Sequence, residues 1–244
     1  MKLSDNTILI TGGATGIGLA LTEQLLKLRS KIIICGRREE KLKEAKQKFP
    51  EIDIYNCDLS KENERINFTQ TVFKNNPSIN ILINNAGIQR EIDLTDPRKI
   101  TGFEQEIITN LIAPVHLSAL FVPYLKNHPF SAIINVSSGL AFTPIARMPM
   151  YCATKSALHS YSLSLRHQLK NTTIKVFEII PPTVDTDLDK GARDSRGQTN
   201  KGIKPEEFAL LAIDALNKDV YEAALGFAGN LRLKREEMFD NLNY

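Results

Sequence analysis

Short apolar runs alternate with amphipathic stretches along almost the whole chain. Apolar runs at 7–11, 31–35, 53–57, 80–84, 131–137, 174–180 and 222–227 predict strands. Stretches with helical spacing at 17–28, 39–48, 61–74, 103–126, 150–170, 205–216 and 231–239 predict helices between and after them. The strands read as continuous apolar segments, such as Ile8-Leu9-Ile10 and Ile32-Ile33-Ile34, which suits strands covered on both faces. Strand and helix in strict alternation predict a mostly parallel seven-stranded sheet between two helical layers. Three strands with two crossovers are followed by a similar set, so the expected architecture is a doubly wound Rossmann-type α/β fold. It forms one domain over residues 1–244.

One stretch breaks the alternation. Residues 183–204 are polar, rich in Asp, Gly and Arg, and without periodicity. Loops of about twenty residues are uncommon in compact domains and are usually functional or mobile. This one follows the C-terminal end of a strand, the side on which ligands bind in open α/β sheets, and is expected to be a substrate lid. A surface insertion is the alternative.

Composition narrows the class. The hydrophobic and charged fractions, 42% and 24%, are those of an ordinary globular protein. A net charge of +3 gives no argument for nucleic acid or an anionic membrane surface. No apolar run is expected to reach the roughly 18 residues of a membrane span. Ser4, Asp5 and Asn6 interrupt any signal-peptide core, and Cys35, Cys57 and Cys152 lack metal-ligand spacing. Reduced, buried thiols and a cytoplasmic location are the expectation.

Two constellations carry candidate chemistry. The first is Thr11-Gly12-Gly13-Ala14-Thr15-Gly16-Ile17-Gly18, set between the first predicted strand and the first predicted helix. Glycines allow a tight turn and close approach of a ligand, and a helix N-terminus presents unpaired N–H groups to a pyrophosphate. Gly18 is followed by Leu19 and Ala20, which excludes the Gly-Lys-Ser/Thr ending of a P-loop. Taken alone, the motif equally suits a plain strand-to-helix turn. The second constellation is Tyr151 and Lys155, one helical turn apart and therefore on one face. A phenol titrates near pH ~10, too high for proton transfer at neutrality. An ammonium at ~5 Å in a dielectric of ~20 favours the phenolate by about 3 kcal/mol, or about two pKa units. Such a tyrosine suits proton exchange with a carbonyl or alcohol oxygen; a solvated Tyr/Lys face is the alternative.

These motifs, together with Asn84-Asn85-Ala86-Gly87 after the fourth strand and Ser138 thirteen residues before Tyr151, occur in an order that resembles the short-chain dehydrogenase/reductase family, in its short single-domain branch. The stretches Ile32-Ile33-Ile34-Cys35-Gly36-Arg37, Ala113 to Leu120 and Pro181-Pro182-Thr183-Val184-Asp185-Thr186 resemble the DltE-like oxidoreductases of Gram-positive bacteria within it. The resemblance implies a hydride transfer between a nicotinamide cofactor and a small carbonyl or alcohol substrate. Tyr151 would be the general acid or base, Lys155 would lower its pKa and bind the ribose, and Ser138 would hold the substrate oxygen, with Ser137 as the neighbouring alternative. Asn110 would hold a water that relays protons to the lysine. Gly12, Thr15, Gly16, Ile17 and Gly18 would cradle the pyrophosphate; Asn85, Ala86 and Gly87 would line the ribose, with Asn84 bracing strands instead. Asp58 would bind the adenine amino group, and Pro181, Val184 and Thr186 the carboxamide. Pro182 stands where the family usually has glycine. Leu140 to Pro149 would face the substrate, with Arg147 available to an anionic group or to packing alone.

The end of the second strand addresses cofactor choice. An NAD site places a carboxylate there, which accepts from the 2′-hydroxyl and repels a 2′-phosphate. Here Gly36 is followed by Arg37 and Arg38. A guanidinium-to-phosphate hydrogen bond contributes about 1.5–3 kcal/mol, so NADP(H) is expected over NAD(H); the alternative is two arginines capping a charged helix. The resemblance also implies a homodimer or homotetramer through the 103–126 and 150–170 helices.

Overall fold

The computed structural model describes residues 1–96, 98, 100–188, 194–197 and 202–243. Within them the chain runs β1 (Thr7–Thr11), α1 (Gly16–Lys27), β2 (Lys31–Gly36), α2 (Glu39–Lys48), β3 (Asp53–Asn56), α3 (Glu62–Asn75), β4 (Ile81–Asn84), α4 (Phe103–Ile107), α5 (Ala113–Leu125), β5 (Ser131–Val136), α6 (Pro149–Gln168), β6 (Ile174–Ile180), α7 (Pro205–Asn217), β7 (Glu222–Ala224), α8 (Ala228–Lys234) and α9 (Phe239–Asn243). The seven strands form one sheet in the order β3-β2-β1-β4-β5-β6-β7. Every pairing is parallel, where the sequence suggested a mostly parallel sheet. After β3 the chain returns across the sheet to place β4 beside β1. The crevice at that reversal is the place where ligands bind in such sheets.

Alternation along the strands makes two cores. Ile8, Ile10, Ile32, Ile34 and Phe177 face Leu21 and Leu25 of α1 and Phe208 of α7. Leu9, Ile33, Leu82, Ile133 and Val176 face Val72 and Phe73 of α3, Leu117 and Phe121 of α5 and Leu165 of α6. The strands are apolar on both sides because both sides are covered. A buried polar ladder crosses the second core at the C-terminal ends of its strands. Asn84 donates from Nδ2 to Ser118 Oγ (3.2 Å) and Asn135 Oδ1 (2.9 Å), and Asn135 donates to Ser162 Oγ (2.9 Å). Asn84 braces neighbouring strands, as the sequence suggested.

The predicted 103–126 helix is interrupted. Residues Ile108–Ile112 form a π turn, and the N–H of Ala113 reaches back to the carbonyl of Ile108. Pro114 has no N–H to offer the carbonyl of Asn110 four residues earlier, so the α-helical ladder cannot continue through this point. Residues 103–125 together are nevertheless long and apolar enough to cross a membrane by composition alone, which amends the expectation that no stretch reaches that length. In the fold this segment packs on α3 and α6. The predicted 222–227 strand stops at Ala224, since Gly226 turns the chain at φ +54°. The predicted 231–239 helix becomes α8, a 3-10 turn over Arg235–Met238 and α9, broken where Arg235 takes φ +50°.

Of the predicted lid, residues 189–193 and 198–201 lie outside the described residues. Its two ends are tied together: Val184 and Ile203 form a bridge, and Asp185 N donates to Ile203 O at 2.9 Å.

Candidate active site

A cavity of about 470 Å³ opens along the C-terminal ends of the strands, from α2 to α6. Its centre is the turn between β1 and α1. Gly12 has φ +65°, a conformation that L side chains rarely adopt. Gly18 is needed for a different reason: a Cβ there would lie 2.3 Å from the carbonyl oxygen of Gly12. The helix start has no side-chain cap, so its first N–H groups stay available. Gly12, Thr15, Gly16 and Ile17 line the cavity, whereas Gly18 lies behind them as a packing residue. An uncapped helix start beneath a turn that any added Cβ would crowd fits a pyrophosphate.

Across the switch point, Thr11 ties β1 to the segment after β4. Its Oγ1 accepts from the N–H groups of Asn85 and Ala86, both at 3.0 Å. Asn85 donates from Nδ2 back to the carbonyl of Thr11 at 2.9 Å. Asn85, Ala86 and Gly87 thereby face the cavity. At the end of β2, Gly36, Arg37 and Arg38 form its wall, and Arg38 Nη2 donates to Thr15 Oγ1 at 3.1 Å. No carboxylate stands at the Gly36 position. Asp58 closes this end; its Oδ1 accepts from Ser60 N (3.0 Å) and Ser60 Oγ (2.7 Å). Burial pushes that carboxyl up, but the Ser60 hydrogen bonds and the nearby Lys61 and Arg37 charges hold it below its usual value. Cys57 also lines the wall, and burial pushes its thiol up to about 12, which leaves it unreactive.

The other end holds Tyr151 and Lys155, both buried and both lining the cavity. Lys155 Nζ donates to the carbonyl of Val136 at 2.9 Å and stands 5.7 Å from the centroid of the Tyr151 ring. Burial brings the lysine down to about 8, opposed by the charge of Glu178. Asn110 lies in the π turn and does not line the cavity. Its Oδ1 accepts from Ile88 N (2.9 Å), and its Nδ2 donates to Ile88 O (2.8 Å) and Thr154 Oγ1 (3.2 Å). Thr154 Oγ1 in turn donates to the carbonyl of Tyr151 at 2.8 Å. Gly87 fits between these groups: a Cβ there would be 3.4 Å from Asn110 Oδ1 and 3.7 Å from Lys155 Nζ.

Other expected residues fall differently. Ser138 Oγ accepts from Leu140 N at 3.1 Å and caps the 3-10 turn Gly139–Ala141. Ser137 is the serine on the cavity wall, and among the described residues its buried Oγ has no hydrogen-bond partner. Pro181 and Thr186 line the cavity; Val184 instead sits in the bridge to Ile203. Pro182 packs its ring 3.6 Å from the Cβ position of Gly226, so the turn after β6 leans on the turn after β7. Arg147 is paired with Glu91 at 3.2 Å, and Phe142 and Met148 are buried in small satellite clusters. Sequence reasoning passed over Thr154 and Glu178. Thr154 carries no signal of its own, but Glu178 does, being a carboxylate inside the strand Ile-Lys-Val-Phe-Glu-Ile-Ile.

Comparison with known proteins agrees with this fold. The chain is 46% identical over its whole length to the uncharacterised oxidoreductase DltE of Bacillus subtilis strain 168, covering 98% of that protein. A short-chain dehydrogenase of Burkholderia cenocepacia, solved in complex with NADP, superposes with a TM-score of 0.83 at 23% identity over 96% of this chain and 94% of that one. A short-chain dehydrogenase/reductase of Burkholderia phymatum, solved in complex with NAD, superposes with a TM-score of 0.85 at 18% identity over 100% and 97%. The family model described as short chain dehydrogenase matches residues 6–197. The chain is an oxidoreductase of the short-chain dehydrogenase family.

Proposed function

We propose that this oxidoreductase uses NADP(H) in preference to NAD(H) to interconvert a small carbonyl compound and its alcohol. The observation that carries this reading is Lys155, buried beside the Tyr151 ring in a cavity that runs back to the uncapped start of α1. A bound nicotinamide would supply or accept the hydride. Tyr151 gives a proton to the substrate oxygen in reduction and takes it back in oxidation. Lys155 favours the phenolate form by its charge, and Ser138 or its neighbour Ser137 donates a hydrogen bond to the same oxygen. Arg37 and Arg38 receive the 2′-phosphate, supported by the absence of a carboxylate at Gly36. Thr15, Gly16, Ile17, Asp58, Asn85, Ala86, Gly87, Pro181, Val184 and Thr186 complete the cofactor contacts, and residues 183–204 close over the substrate.

We further read the protein as a cytoplasmic homodimer or homotetramer. Ile112 of the π turn and Leu163 of α6, two elements that pack together, leave apolar surface exposed. Titration with NADPH and NADH, followed by fluorescence, tests the cofactor assignment. NADPH is expected to bind roughly ten- to hundredfold tighter, as one guanidinium–phosphate hydrogen bond would give. Equal affinities would remove the arginine argument, and no binding of either would overturn the reading.

A further inference from the structure

Helix α6 turns three polar side chains toward the sheet at Lys155, His159 and Ser162, a spacing that keeps them on one face. Lys155 Nζ donates to the Val136 carbonyl (2.9 Å), His159 Nδ1 lies 2.7 Å from Glu178 Oε2, and Ser162 Oγ accepts from Asn135 Nδ2 (2.9 Å). Sheet register explains the arrangement. Asn135 is paired with Glu178 and Val136 with Ile179 across β5 and β6, so Asn135 and Glu178 point to the same face.

Glu178 is 0% exposed, and among the described residues its Oε1 has no hydrogen-bond partner. Burying a carboxylate is costly even after relaxation, unless an opposite charge is near. The charged groups around it come from three elements. Lys155 and His159 belong to α6, as does Arg166, which donates to the carbonyls of Val176 and Tyr221. Arg232 of α8 is bonded to Glu222 of β7, so those two charges offset each other. Glu222, the third member of the His159–Glu178–Glu222 group, is thereby engaged by Arg232. His159 meets Glu178 directly, and Lys155, one turn away on the same face of α6, reaches the Val136 carbonyl, whose residue is paired with Ile179 beside Glu178.

We propose that Glu178 is a positioning residue for Lys155: its buried carboxylate, aligned by His159, supplies the negative charge that keeps the lysine an ammonium beside Tyr151. The proposal rests on the role given to Lys155 above and adds what maintains its charge. Burial alone drives the lysine toward the neutral amine, and Glu178 acts in the opposite direction. Arg232 and Arg166 share the sign of Lys155 and cannot replace it.

The test is the titration of Lys155 itself, followed by the 13Cε shift in lysine-labelled, cofactor-free protein and assigned with Lys155→Arg. In the natural protein the midpoint is expected near 8. In Glu178→Gln it is expected to fall by about one unit, the effect of losing a charge several ångströms away. The alkaline limb of the pH–rate profile for NADPH-linked carbonyl reduction is expected to fall with it, in kcat more than in KM. Glu178→Asp restores both in part. A folded Glu178→Gln protein with an unmoved Lys155 midpoint would overturn the proposal. Should the glutamine variant not fold, an unmoved midpoint in a folded Glu178→Met protein, which also lacks the charge, does the same. If the natural protein reduces no carbonyl compound, the reading of function fails, while the lysine titration still decides the role of Glu178.

Discussion

Asn110 grips the main chain of Ile88 with both ends of its amide, accepting from the N–H at 2.9 Å and donating to the carbonyl at 2.8 Å. It thereby does for the segment after β4 what a neighbouring strand would do, fixing residues that face the cavity. The side chain of Asn110 also donates to Thr154 Oγ1 at 3.2 Å, which ties the π turn to α6. Replacement by Asp would set a carboxylate against the Ile88 carbonyl, whereas Ala would only leave the backbone groups unpaired. Leaving a buried polar group unsatisfied costs about 1–3 kcal/mol. Thermal melting is expected to place Asn110→Asp below Asn110→Ala, with both below the natural protein. The opposite order would show that the amide is not the brace.

Tyr151→Phe removes one hydroxyl and keeps the ring beside Lys155. General acid catalysis contributes about 10²–10⁴-fold, so turnover is expected to fall by that factor while the protein folds normally. NADPH affinity, measured by fluorescence titration, is expected to change by less than about tenfold, the effect of one hydrogen bond. Undiminished turnover would show that another group moves the proton.

Lys155 links activity to pH in one direction and stability in the other. The native lysine loses its proton near 8, against 10.5 for an unperturbed lysine. Between these values the unfolded chain binds more protons, so this residue's contribution to stability rises with pH across that window. Relative to Lys155→Met, denaturant unfolding is expected to show the natural protein gaining up to about 1.4 kcal/mol per pH unit there. Reductive turnover is expected to fall over the lower part of the same window, as the ammonium is lost.

The exposed side chains of Ile112 and Leu163 predict self-association through the 103–125 segment and α6. Sedimentation is expected to find a dimer or tetramer in the natural protein and a smaller species for Leu163→Asp. A natural protein that sediments only as a monomer would refute the assembly.

Much of this architecture could be read from the chain because local and global preferences agree in it. The strands are apolar on both faces since each is covered twice, and that alone predicts a parallel sheet with crossovers. The glycine turn and the Tyr151/Lys155 pair were legible for the same reason: each depends on spacing within one or two turns of chain. What stayed hidden depends on single hydrogen bonds. The π turn arises from one missing N–H at Pro114, which a periodicity average over the 103–126 stretch does not register. Ser137 and Ser138 differ by one position in an extended segment, where successive side chains point to opposite sides. Family spacing points to Ser138, while the cavity wall holds Ser137. Pairs such as Asn110 with Thr154, or Glu178 with His159, join distant segments and have no period at all.

The ladder from Ser118 through Asn84 and Asn135 to Ser162 bears on how the chain finds its native pairing. The centres of β1, β2, β4 and β5 are runs of Ile, Leu and Ala, and one such run can slide along another with little penalty when both faces are oily. Asn84 opposite Asn135 removes that freedom, since any slip strands two amides in hydrocarbon. These amides act as a key cut into otherwise smooth strands. Replacing both by Leu would leave the sheet no less oily, yet with several alignments of similar energy where one now prevails.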